Sequence, residues 1–303
     1  MEIKHLAITL LFLPIAFLIV GCGNSDENDP EVITPEPEPE PTGSKLTIID
    51  GHNFYLDHVK YTVAIESLNV TGYDPKGFDG VANIASQVTF NGYPYKVQTI
   101  FYEAFKDCKE LTSVNIAEGV ATIGQKAFSG CTALSSVSIP SSVKDIGFEA
   151  FQGCTGLTTL NIPEGTATIG ASAFSGCTTL SSITLPQSLT YIGDGAFAKC
   201  SALTTVTIPP AVSIIHNGTF NGCTNLTTVT FGKGLSIIFP WAFNDCVNLK
   251  DVYCPIVNAD DISAQEESFG DYVSATTLHV PAASIADYQK RSPWNKFASI
   301  VAL

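Results

Sequence analysis

The sequence predicts an α/β fold: a right-handed solenoid of 23-residue repeats with a parallel β-sheet, closed at each end by a cap. Three observations predict it. Phe105, Phe128, Phe151, Phe174, Phe197, Phe220 and Phe243 stand 23 residues apart without exception. A cysteine and a leucine follow each phenylalanine at constant offsets, as Cys131 and Leu134 follow Phe128. The segment after each leucine then alternates apolar and hydroxyl residues, as in Ser136-Val137-Ser138-Ile139. Self-similarity at a fixed period marks a repeat architecture, in which no unit can bury its apolar face alone and stacked units can.

Residues 1–21 read as an export signal. Lys4 and His5 precede an apolar run from Leu6 to Val20, which is shorter than the ~20 residues a spanning helix needs. The run ends in Ile19-Val20-Gly21-Cys22, which resembles the lipobox where bacterial signal peptidase cuts before an acylated cysteine. Cys22 is therefore the expected lipidation site and membrane anchor, with an ordinary secretory signal as the alternative. Residues 22–45 form an acidic tether. Its Pro35-Glu36-Pro37-Glu38-Pro39-Glu40-Pro41 run extends through fixed φ and like-charge repulsion and cannot build a core. Asp26, Glu27, Asp29 and Glu31 resemble the surface-export signals of Bacteroidetes lipoproteins; a solvated spacer is the other reading.

Residues 46–98 are expected to form a β-rich N-terminal cap, with Asn91-Gly92 supplying the left-handed residues of a tight hairpin turn. Residues 99–253 hold the seven repeat units. Within a unit, Leu-x-x-Val-x-Ile is a short strand with Val137 and Ile139 inward, ended by Pro140, which has no N–H to donate. Ile146-Gly147 marks a second inward residue and a turn. Phe148 to Cys154 is expected to make one or two helical turns, with Ala150, Phe151 and Cys154 inward. Residues 254–303 are the C-terminal cap, where Leu278-His279-Val280-Pro281 reads as a closing strand ahead of Tyr288 and Trp294. Caps are required because an open end would expose apolar core and unpaired strand edge.

The repeat Ala-Phe-x-x-Cys-x-x-Leu resembles that of the BspA-like leucine-rich repeat family, over about residues 99–253, and the flanks are similar too. The resemblance implies a leucine-rich-repeat solenoid on a Bacteroidetes-type surface lipoprotein. It also implies a cell-surface adhesion role toward host proteins or other bacteria.

Composition narrows the function classes. With 29 Asp plus Glu against 15 Lys plus Arg and a net charge of −14, nucleic acid is disfavoured as a partner. One cysteine per unit at the same inward position predicts a column of reduced core thiols, because parallel Cβ vectors suit a disulfide poorly. The state of Cys254, outside the series, stays open. No C-x-x-C pair stands with histidines at zinc spacing, and His52, Asp57 and His58 are read as a solvated loop rather than a metal site. No phosphate loop or G-x-S-x-G elbow occurs. The expectation is a binding protein, not an enzyme, with no cofactor and a monomeric state.

The outward strand positions, including Thr205 and Thr228, are nearly all Ser, Thr or Asn. Exposed strands favour such residues; a glycan-binding face is the alternative. Departures from the repeat locate the candidate site. Phe239 stands where a glycine is expected, followed by Pro240 and Trp241, and His216 replaces the preceding glycine. Lys250, Asp251 and Tyr253 replace the hydroxyls of the last strand. The expectation is that these aromatics pack under the C-terminal cap; uncovered, Phe239, Trp241, Lys250 and Tyr253 would be the patch for a partner. That partner would be a host matrix protein, mucin or glycan met at the outer membrane surface. A structural or assembly lipoprotein that binds another envelope protein, or a polysaccharide-capture accessory, is the alternative.

Overall fold

A computed structural model describes residues 46–64 and 67–303. The export signal, Cys22 and the tether lie outside the described residues.

Each 23-residue coil contributes two short strands. The first, such as Thr205–Thr207, pairs in parallel with its counterpart in the next coil, Thr228–Thr230, so that Val206 faces Val229. The second, such as Asp145–Ile146, pairs with Thr122–Ile123 on one side and Thr168–Ile169 on the other. Register follows from the period. Every residue pairs with the residue 23 positions on, so Ile123, Ile146, Ile169 and Ile192 fall in one buried row. A slip by one residue would send that row to solvent.

The third side of each coil is not helical. From Phe148 to Cys154 the chain is a run of turns, and the described part of the chain has one α-helix, Ile285–Tyr288, in the C-terminal cap. The reason lies in the backbone. Two residues flanking each phenylalanine are left-handed, Glu149 at φ 53 and Gly153 at φ 70 around Phe151, and this recurs in all seven units. Alternating handedness turns successive N–H groups in opposite senses. Those of Glu149, Phe151 and Gly153 donate to Ala171, Ala173 and Ser175 of the next coil at 2.9, 2.7 and 2.8 Å. Those of Ala150, Gln152 and Cys154 donate three residues back within the coil. The turn side is thus a third inter-coil ladder, and no buried backbone donor needs a helix.

Inside, the phenylalanines form one column. Ring centroids from Phe105 through Phe243 lie 5.1–5.5 Å apart, with interplanar angles of 3–13°. Tyr73 extends the column at one end and Phe269 at the other, where Trp294 and Phe297 meet Phe269 edge-on. Offset stacking at this spacing adds to the area each ring buries.

The N-terminal segment is an antiparallel meander, Leu46–Ile48, Asn53–Leu56, Val59–Val63 and Ser67–Tyr73, joined in parallel to Tyr93–Ile100. Asn91 and Gly92, at φ 52 and 80, make the hairpin turn between Phe90 and Tyr93. Asp57 and His58 make a second such turn at φ 47 and 66. Coil pairing reaches beyond the regular repeats: Val81–Ile84 pairs with Ser113–Ile116, and Thr277–Val280 with Asp251–Tyr253.

All eight cysteines of the described chain, Cys254 included, are buried and free. Six of the thiols donate to the carbonyl of the phenylalanine 26 residues earlier, at 2.9 Å for Cys131 and 3.2 Å for Cys177. Cys254 packs 3.3 Å from the Tyr288 hydroxyl. Burial pushes the thiols of Cys131, Cys177 and Cys223 up to about 12. The folded chain therefore holds protons that the unfolded chain releases above the ordinary thiol value of 9.0. Stability is fully present below that pH and is lost as pH rises toward 12, by ~1.4 kcal/mol per pH unit for each thiol ionised only on unfolding. Urea midpoints should therefore fall steeply above about pH 9, and Cys177→Ala with Cys200→Ala should flatten that fall; equal slopes in the two proteins would contradict the thiol column as its cause.

Candidate functional site

The six residues singled out in the sequence fall on two different sheets. Thr205, Thr228 and Asp251 sit side by side in the first-strand sheet, and Thr207, Thr230, Tyr253 and His279 form the next row. Lys250 is exposed just ahead of that strand. Phe239 and Trp241 instead follow Ile237–Ile238, on the second-strand sheet and the turn side of the coil. The single patch expected from the sequence is therefore divided.

The first-strand patch is largely committed internally. Tyr253 stacks on His279 at 4.2 Å, and His279 Nε2 lies 2.8 Å from Asp251 Oδ1. Tyr253 is half-buried, because the cap strand that carries His279 pairs directly beside it. Several hydroxyls flanking this face are likewise in use. Those of Ser135, Ser181 and Thr227 donate to backbone carbonyls of the preceding coil at 3.1–3.2 Å.

The second patch is open. Trp241 is 55% exposed, so packing under the C-terminal cap is overturned for this residue; the cap's own aromatics, Trp294 and Phe297, close on the Phe column instead. A ladder of rings runs beside it across three coils. Tyr191, 43% exposed, tilts against His216 at 5.0 Å, and His216 stacks on Phe239 at 5.8 Å. His216 and Phe239 occupy the repeat's glycine position. In earlier coils a Cβ there would meet backbone, at 2.5 Å from Ala171 N for Gly193 and 2.6 Å from Gly147 C for Gly170. Coils six and seven have given up that close approach and present rings, as coil one does with Phe101, 51% exposed. Tyr191 was not singled out from the sequence, although its alternation with buried Ile192 places it outward.

The backbone at Trp241 is that of the repeat. It holds φ 58 at the left-handed position that Gly195 and Gly218 fill in the two preceding coils and Glu103, Lys126, Glu149 and Ser172 fill in the first four. A bulky residue in the left-handed region is strained, by an amount of order 1 kcal/mol. The Trp241 N–H still donates to Glu267 O at 2.9 Å, so the inter-coil ladder is kept.

Acid groups border these rings. Asp194 accepts from the Asn217 N–H at 3.0 Å and lies 3.8 Å from His216 Nδ1, with its side chain 61% exposed. Asp245 and Glu267 are exposed, and neither forms an ion pair among the described residues. At the other end of the solenoid, Ser86, Gln87, Lys96, Gln98, Glu118 and Gly119 line a polar cleft. The Glu118 carboxylate is engaged there: the Ser141 hydroxyl and the N–H groups of Ser141 and Ser142 donate to it at 3.0–3.1 Å and hold it below the usual carboxylate range. His52 and His58 lie at opposite ends of the strand Asn53–Leu56, and no group of three metal-ligating side chains occurs among the described residues.

Trp241→Gly isolates the ring from the fold. Relief of left-handed strain, ~1 kcal/mol, offsets the lost contacts of a ring that is more than half exposed. The thermal midpoint is expected to stay level or rise, and a fall of several degrees would show that the ring is structural.

Comparison with known proteins agrees with this geometry. The sequence profile of the BspA-type leucine-rich repeat region matches in six copies, over residues 83–181 and 144–271. Among solved structures, the chain is similar to a leucine-rich repeat protein from Bacteroides ovatus, with 25% identity over 82% of this chain and 76% of that one and a TM-score of 0.61. It is also similar to the leucine-rich repeat protein of T. pallidum, with 31% identity over 63% of this chain and 88% of that one and a TM-score of 0.54. The chain matches none of the curated proteins. With the repeat profile covering more than half its length on a solenoid of matching fold, the chain belongs to the BspA-type leucine-rich repeat family.

Proposed function

We propose that this protein is a cell-surface binding protein, anchored to the outer membrane by lipid on Cys22, that recognises a macromolecular ligand through the turn side of its last coils. Its role is recognition rather than catalysis. The observation that carries the reading is Trp241: a large ring left 55% exposed on the side of the solenoid that also carries the Tyr191, His216 and Phe239 rings. Exposed aromatic clusters are the residues that carry interface energy.

Candidate ligands are host matrix proteins, mucins and glycans. The test uses intact cells displaying the whole chain. Radiolabelled palmitate should enter the wild-type chain and not Cys22→Ser, and external protease should remove the solenoid. Wild-type cells should be retained on an array of matrix proteins, mucins and glycans, and Trp241→Gly cells should not. Retention unchanged by Trp241→Gly would sink the site assignment. A blank array with the chain protease-accessible would favour an envelope partner instead.

A further inference from the structure

We infer that the Trp241 face takes an Arg- or Lys-bearing segment of a protein partner, the cation seating between the indole and the neighbouring carboxylates. The inference rests on the binding role proposed above and names the chemistry of the partner. The same side of the solenoid already holds one cation between a ring and a carboxylate. Lys126 Nζ lies 5.9 Å from the Phe148 ring centroid and 3.3 Å from Glu149 Oε2, so a ring and a carboxylate of one coil hold a cation of the coil before. In coil seven the position of Lys126 is held by Trp241, at φ 58 against 57, so that coil supplies a ring there and no cation of its own. The Lys126 N–H donates to Phe148 O at 2.9 Å as the Trp241 N–H donates to Glu267 O.

Among the described residues no Lys or Arg side chain lies over the Trp241 ring. Asp245 stands four residues on in the same turn, Glu267 in the adjoining coil, and both are exposed without an ion-pair partner among the described residues. Lys199 leans over Gly222, with Cγ 3.4 Å from where a Cβ would stand, without forming an ion pair with Asp245. Lys296 is taken by Glu266 at 3.0 Å. Indole is the best side-chain face for a cation, and a carboxylate beside it adds Coulomb attraction. The net charge of −14 draws cationic segments in and repels anionic glycans.

The test titrates the full chain in non-ionic detergent with an acetylated, amidated tetra-arginine peptide, followed by isothermal titration calorimetry, whose signal does not depend on the indole. The expected result is saturable binding that is lost in Trp241→Gly. It should weaken about fivefold in Asp245→Asn with Glu267→Gln, and again as ionic strength rises from about 0.05 to about 0.5 M. Circular dichroism checks that each variant is folded. No saturable response in the wild type, or one kept in Trp241→Gly, overturns the inference. A peptide blank with a saturable response to maltoheptaose, lost in Trp241→Gly, replaces the cationic partner with a neutral glycan and leaves the binding role intact. A blank with both probes, together with array retention unchanged by Trp241→Gly, removes both.

Discussion

The rest of the structure depends on one constraint: each coil must repeat the last at a displacement of one strand spacing, so that like atoms meet like atoms. The Phe column is where this constraint is tightest. Rings 5.1–5.5 Å apart and within 13° of parallel leave no room for an inserted residue, since one extra would carry a ring out of the column. Everything else in the coil is slaved to it. The cysteine behind each ring is small enough to pack and bears a proton for the preceding phenylalanine carbonyl. The glycine after the second strand is needed because the preceding coil's backbone passes within ~3 Å of where its Cβ would be.

Uniform stacking also explains where variation is tolerated. Outward positions are free of the core, so surface chemistry can change coil by coil while the scaffold holds. Most coils use that freedom conservatively, placing Ser and Thr outward. Coils six and seven do not. They trade the close-approach glycine for His216 and Phe239, and coil seven adds the exposed ring of Trp241.

Much of this was legible in the residues. The 23-residue spacing of Phe, Cys and Leu specified the inward columns, and the hydroxyl alternation specified which strand residues face out. The Asn91-Gly92 turn followed from the need for positive φ. The turn side was not legible as it stands. A run such as Phe-Glu-Ala-Phe-Gln-Gly-Cys has helical spacing, and only the alternating left-handed residues, among them Glu149 and Lys126, convert it to a ladder between coils. Nothing in Glu or Lys announces positive φ. The candidate site was legible in part. Phe239 and Trp241 stood out as departures from the repeat, but one stretch of sequence holding Trp241 and Tyr253 suggested one patch. The strand assignment sends them to different sheets, and His279, distant in sequence, takes up the Tyr253 ring.

The central claim is that the ring column holds the coils in register. Urea unfolding of Phe174→Ala, in the middle coil, tests it most directly. Phe174 is wholly buried between Phe151 and Phe197. The account predicts a loss of ~3–5 kcal/mol, the range for deleting a buried ring from a core that cannot collapse around the gap. A loss below ~1 kcal/mol would show that the coils hold their register without the column, and would contradict the account.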